Sequence, residues 1–156
     1  MNVIAPILSE ENGPAWKQTI FHPFARVAEL AKGQILRLSV DSDTYENARF
    51  GGTDLVDVSA TWNEESGRVA LFFANRGLEE AADVEVALRG FDARRVIRAE
   101  VLEIPEGGDR FTANAQTSQD QVGLKPLEGA KASGSELRLT LPALSWAVIE
   151  LEVVKS

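Results

Sequence analysis

Three observations predict a mainly β chain: an antiparallel β-sandwich, jelly-roll-like, preceded by a β–loop–α unit. From Leu55 onward, apolar residues recur at every second position in short segments separated by polar or glycine-containing turns, the period of strands with one buried face. No helical period interrupts those segments, so the later chain reads as a sandwich rather than as alternating parallel units. Ahead of them, Asn2 to Lys32 joins a continuous apolar run, a breaker-rich loop and a helical period.

Asn2 to Ile7 (NVIAPI) is apolar without alternation, the pattern of a strand covered on both faces in a parallel α/β sheet. Ser9 to Ala15, with Asn12-Gly13-Pro14, reads as a loop. Ile20, Phe24, Val27 and Leu30/Ala31 then recur at helical spacing. Pro23 lacks an amide donor and is tolerated only near a helix start, which places the helix from about His22 or Pro23 to Lys32, with Gly33 as the stop. A parallel strand needs parallel neighbours, and the remaining chain offers no second strand–helix pair. Residues 1 to about 40 therefore read as a unit without its structural partners.

Gln34 to Val40 reads as one extended segment, and Asp41 to Asp54 as a polar connector with no clear period. Val56, Val58, Ala60 and Trp62 share a strand face, Glu64 to Gly67 supplies a turn, and RVALFFAN follows as the more deeply buried partner of a hairpin. Further strands are read at DVEVALRG (Val84, Val86 and Leu88 on one face), Arg95 to Ile104, Ser135 to Leu141 (Leu137, Leu139 and Leu141 in register), and SWAVIELEVV (Ala147, Ile149, Leu151 and Val153). Gly107 to Gly134 is long and polar, and one or two short strands are expected inside it, near Gln121 to Pro126.

Composition narrows the function classes. At 156 residues, with 44% hydrophobic and 26% charged residues, the chain has the makeup of a globular protein with a real core. No run approaches the length of a membrane span, and no secretory signal pattern opens the chain. A net charge of −8 without a basic block argues against nucleic acid and anionic membrane as partners. With no cysteine, disulfides, thiol catalysis and cysteine-ligated zinc are excluded, which fits a cytoplasmic location.

Side-chain chemistry is sparse. His22 is the sole histidine, so a zinc site or a Ser-His-Asp triad would depend on this residue alone; the competing reading is packing at the helix entry. The acidic pairs Glu10-Glu11, Glu64-Glu65 and Glu79-Glu80 lie in polar turns, unlike the facing carboxylates of a glycosidase pocket. Trp16 and Gln18 sit between the first strand and its helix, which in a (β/α) barrel is the active-site face. An indole can cover a sugar face and a carboxamide can both donate to and accept from hydroxyls; alternatively, the Trp plugs a loop and the Gln satisfies backbone groups. No cofactor or metal motif is present.

NVIAPI, GPAWKQTIFHPF, VDSDTY, NEESGRVALFFANR, ALRGF and LPALSWAVIEL together resemble the C-terminal part of an α-L-arabinofuranosidase of glycoside hydrolase family 51, over nearly the whole chain. The GPAW-x-QTIF-x-PF and LP-x-LSW-x-VI-x-L strings carry the resemblance most specifically. It implies that residues 1–37 are the last strand, loop and helix of a (β/α)8 barrel, 38–51 a connector and 52–156 the C-terminal sandwich. It implies a retaining hydrolase using two glutamates, both from earlier barrel strands without counterpart here, so no residue of this chain is expected to be catalytic. Gln18 resembles the family's arabinofuranose-binding glutamine, and Trp16 lines the same loop. The implied partners are the rest of the barrel, on the same or a separate chain, and arabinofuranosyl oligosaccharides, with the parent enzyme a homo-oligomer. A non-catalytic carbohydrate-binding or assembly module is the alternative.

Overall fold

The computed structural model describes residues 4–156. In chain order the elements are β1 (Ile7–Ser9), β2 (Ala15–Lys17), α1 (Phe21–Leu30), β3 (Gln34–Ile35), β4 (Thr44–Asn47), β5 (Gly51–Asp54), β6 (Val56–Asn63), β7 (Arg68–Asn75), β8 (Ala82–Ala87), β9 (Phe91–Leu102), β10 (Lys125–Pro126), β11 (Lys131–Ser133), β12 (Glu136–Leu141) and β13 (Ser145–Lys155). A six-stranded sheet of order β10-β9-β13-β7-β6-β3 faces a three-stranded sheet of order β11-β12-β8. All their pairings are antiparallel, giving the expected sandwich.

The core follows from the period-two pattern. Ala60 and Trp62 of β6, Val69, Leu71 and Phe73 of β7, and Ala147, Ile149, Leu151 and Val153 of β13 meet Leu137, Leu139 and Leu141 of β12. Val84 and Val86 of β8 close the opposite side. Trp62 packs its ring 4.9 Å from Phe91, so this indole is a core residue. Asn75 is the chief buried polar group at the sandwich end: its Nδ2 donates to the carbonyls of Glu80, Leu141 and Pro142, and its Oδ1 accepts from Gly77 N. A buried carboxamide is tolerated there because every polar valence is met.

The outer face of the large sheet is also covered. Ala70, Phe72 and Val148 form a second apolar cluster, joined by Trp146 and by Leu30 and Ala31 at the end of α1. Beside it, Arg26 makes a bidentate pair with Glu100 at 2.6 and 3.0 Å, and Arg98 reaches Glu29 at 3.1 Å and Glu150 at 3.8 Å. Burial alone would raise the Glu100 carboxyl, but the Arg26 bond and charge, with Arg98, hold it below the usual carboxylate range.

The helix begins without a side-chain cap. Pro23 stands at its third position, where an N–H would be orphaned anyway. Lys32 Nζ donates to Ala28 O at 2.8 Å, answering a free carbonyl in the last turn. Gly33 then takes φ +80°, and a Cβ there would lie 2.1 Å from the Trp62 carbonyl oxygen. Only glycine lets the chain leave the helix so close to β6.

Three expectations for the N-terminal stretch and connector need correction. Asn2 and Val3 of the expected strand lie outside the described residues, Ile4 to Pro6 are not in a strand, and β1 pairs antiparallel with β2 as a small hairpin. Pro6, Leu8 and Glu10 face Gln18, Trp16 and Pro14 across this hairpin, so its bonds are made locally rather than to a neighbouring parallel strand. Gln34 to Val40 contributes only the two-residue β3 to the sheet edge. The connector Asp41 to Asp54 holds the β4–β5 hairpin, whose polar strands carry no alternating pattern to reveal it. In the 107–134 stretch β10 falls within the expected Gln121 to Pro126 region, and a second short strand, β11, lies beyond it.

Removing the Arg26–Glu100 pair tests how the helix is held. Arg26→Ala is expected to destabilise helix docking by about 1–2 kcal/mol, between exposed and buried pairs. Faster hydrogen exchange in α1 with unchanged exchange in β13 is the expected result; unchanged exchange in α1 would count against the pair.

Candidate functional site

The β1–β2 hairpin is closed by a turn in which Gly13 N donates to Glu10 O and Glu10 N to Pro14 O. Beyond β2, Gln18 N donates to Pro6 O at 2.8 Å, and Phe21 N donates to Gln18 O at 2.9 Å, starting the helix. Residues 15–22 are therefore fixed by main-chain bonds on both sides. Trp16, Gln18 and Thr19 are half-buried.

The long 107–134 connection braces this segment. Asn114, 5% exposed, donates from Nδ2 to Lys17 O at 3.1 Å and to Val122 O at 2.8 Å, and its Oδ1 accepts from Val122 N at 2.7 Å. Gln18 Nε2 donates to Asn114 O at 3.0 Å, and Gln116 Nε2 donates to Glu10 Oε2 at 2.8 Å. Sequence reading gave Asn114 no role. A lone asparagine in a polar loop has no periodicity or spacing to betray it; only its burial, set by the tertiary fold, does.

Two shallow depressions flank the segment. One, of about 300 Å³, is lined by Ile7, Ala15, Trp16, Lys17, Gln119 and Asp120. The other, of about 280 Å³, is lined by Ile4, Ala5, Leu8, Gln18, Thr19, Ile20 and Ala113. Trp16 and Gln18 thus border different hollows. Trp16 Nε1 and Thr19 Oγ1 are buried without a hydrogen-bond partner among the described residues. Indole, carboxamide, hydroxyl and ammonium groups suit stacking and hydrogen bonding rather than bond cleavage. Among the described residues no group of His, Cys, Asp or Glu is arranged to hold a metal ion, and no helix is long and apolar enough to cross a membrane.

His22 packs edge-on to Phe21, ring centroids 5.8 Å apart, and lies near Gly123. Burial pushes its imidazole below the usual 6.5; a backbone bond to Val122 opposes this, Lys17 and Arg26 add to it, and Asp120 opposes it. Burial and these contacts fit the packing reading. Because the folded pKa is depressed, His22 favours the docked state above 6.5 and loses that contribution as pH falls through the folded value. Protection of the Phe21, His22 and Val122 amides, relative to their intrinsic exchange rates, is expected to fall below that pH, and His22→Asn to flatten the dependence. An equally steep profile in the variant would remove His22 as the cause.

The chain is closely similar to proteins of one kind. Residues 1–145 match the family described as the α-L-arabinofuranosidase C-terminal domain. An intracellular exo-α-(1→5)-L-arabinofuranosidase of Streptomyces lividans is 34% identical over 146 residues, 94% of this chain and 22% of that protein. An exo-α-(1→6)-L-arabinofuranosidase of Bifidobacterium longum is 34% identical over 97% of this chain and 29% of its own length. The solved structure of a family 51 α-L-arabinofuranosidase from Bifidobacterium longum superposes with a TM-score of 0.86 at 33% identity, covering 96% of this chain and 29% of that one. The chain thus spans less than a third of these relatives. With its antiparallel sandwich and the helix on its outer face, the chain belongs to the family of α-L-arabinofuranosidase C-terminal domains.

Proposed function

We propose that the chain is the C-terminal portion of a retaining, intracellular α-L-arabinofuranosidase that removes terminal α-L-arabinofuranosyl groups from arabinan- or arabinoxylan-derived oligosaccharides. Residues 1–37 supply the last unit of its (β/α)8 barrel, 38–51 a connector and 52–156 a structural domain. The relatives' names carry both (1→5) and (1→6) linkages, so the proposal extends to the terminal sugar and not to the bond behind it. The parent enzyme is a homo-oligomer in this reading.

The observation that carries the reading is the division of the helix. Leu30 and Ala31 pack on the sandwich, whereas Phe24 is 71% exposed and Ile20 and Val27 are exposed beside it. Ile4, Ile7 and Leu8 are exposed on the same N-terminal segment. An apolar stripe that one domain covers only at its end calls for a second apolar surface, and the rest of a barrel is such a surface. Gln18 and Trp16, on the loop entering this helix, then stand at the barrel's substrate-binding end. No residue of this chain is assigned a catalytic role; the two glutamates belong to the remainder of the enzyme.

A carbohydrate-binding module finds less support. Trp62 lies in the core and Trp146 packs against Phe72, 6.2 Å between centroids, under the helix. Neither offers an open sugar platform.

Hydrolysis of an aryl α-L-arabinofuranoside by this chain alone, and by the chain with the missing barrel supplied, tests the proposal. Activity is expected only from the combination; turnover by the isolated chain would overturn it. In the assembled enzyme Gln18→Ala is expected to lower kcat/KM by the equivalent of about 1–3 kcal/mol. An unchanged kcat/KM would sink the substrate-binding role.

A further inference from the structure

A carboxamide is ambiguous: its two ends are alike in shape but opposite in hydrogen-bonding sense, so a binding glutamine needs something to decide which end faces the ligand. At Gln18 the deciding partner is the main-chain oxygen of Asn114, 3.0 Å away. A carbonyl oxygen can only accept, so the NH₂ end of Gln18 must face it. Oε1 is thereby turned away, and it accepts no hydrogen bond among the described residues. Gln18 lines the depression of about 280 Å³.

The Asn114 carbonyl is itself fixed. The Asn114 side chain bonds Lys17 O, Val122 O and Val122 N, and it is almost wholly buried. One side chain thus ties the residue before Gln18 to Val122 in the middle of the sandwich's own loop, while its main chain orients the Gln18 amide.

We propose that Asn114 is a positioning residue for substrate binding: clamped between Lys17 and Val122, it holds Gln18 with Nε2 inward and presents Oε1 as a fixed acceptor for a hydroxyl of the sugar. The inference rests on the reading of Gln18 as a sugar ligand. It gives the long loop of the sandwich a part in recognition, since that loop sets the polarity of a group on the barrel side. The substrate hydroxyl facing Gln18 must then donate its proton, so a substrate methylated or deoxygenated there loses the contact.

The test has two arms. In this chain alone, the Nε2 protons of Gln18 are expected to exchange slowly with water, and in Asn114→Ala to exchange at the rate of a solvent-exposed carboxamide while amides of β13 stay protected. Exchange already solvent-like in the wild type, or unmoved by the substitution, would overturn the clamp. Should the alanine variant fail to fold, Asn114→Ser, which keeps a short hydroxyl, is read by the same two outcomes.

In the assembled enzyme, Asn114→Ala is expected to lower kcat/KM about tenfold, and to cost nothing further in a Gln18→Ala background. The same loss in both backgrounds would mean a structural role only and would reject positioning through Gln18. If Gln18→Ala leaves kcat/KM unchanged, the sugar-ligand reading fails, and that result is separate from the first arm.

Discussion

Around Val148 both faces of β13 are withdrawn from water, and much of the fold is arranged around that condition. Ala147, Ile149 and Leu151 point into the sandwich, Val148 points the opposite way, and all are fully buried. The inward face is met by the three-stranded sheet. On the outward face Ala70, Phe72 and Val148 would be an apolar patch in solvent were it not for α1, whose last residues cap them. The Arg26–Glu100 pair sets where along the sheet the helix comes down. Burial supplies most of the driving force, because it scales with apolar area removed from water, whereas the largely shielded ion pair contributes the smaller share and the register.

The docking of α1 explains how two pieces of different character hold together. The helix touches the sandwich by its last turn and one flank and leaves Ile20, Phe24 and Val27 outward. Loop 107–134 reaches from the sandwich to the hairpin ahead of the helix and closes the arrangement from the other side. Two contacts at opposite ends of residues 15–31, one apolar and one polar, define the segment's pose. This is why Gln18 is held in one place although the strand before it is only a short hairpin arm.

The polar half of that arrangement is concentrated in Asn114. Its three side-chain hydrogen bonds all go to main-chain groups, so its placement depends on backbone geometry rather than on another mobile side chain. Buried and fully paired, such a carboxamide specifies one loop conformation, whereas partial pairing would cost more than an apolar substitute.

The strands of the sandwich were legible because their apolar residues alternate: Leu137, Leu139 and Leu141, or Ala147, Ile149 and Leu151, announce a buried face without any structure. The helix was legible from its own period, and its start near Pro23; its end falls at Leu30, two residues before the expected Lys32, where the chain turns toward Gly33. What alternation cannot reveal is pairing between polar strands, so the β4–β5 hairpin stayed hidden. It also cannot reveal which part of an apolar stripe meets which partner: Ile20, Phe24, Val27 and Leu30 look equivalent in sequence, and only docking on Phe72 and Val148 separates Leu30 from the rest. Trp16 and Gln18 were visible as residue types suited to a sugar, but the orientation of the Gln18 amide was not. Local sequence determined the periods, the breaks and the candidate groups, because these follow from side-chain size and backbone preference within a few residues. The tertiary structure alone decided the polarity of Gln18, because that depends on a carbonyl 96 residues away.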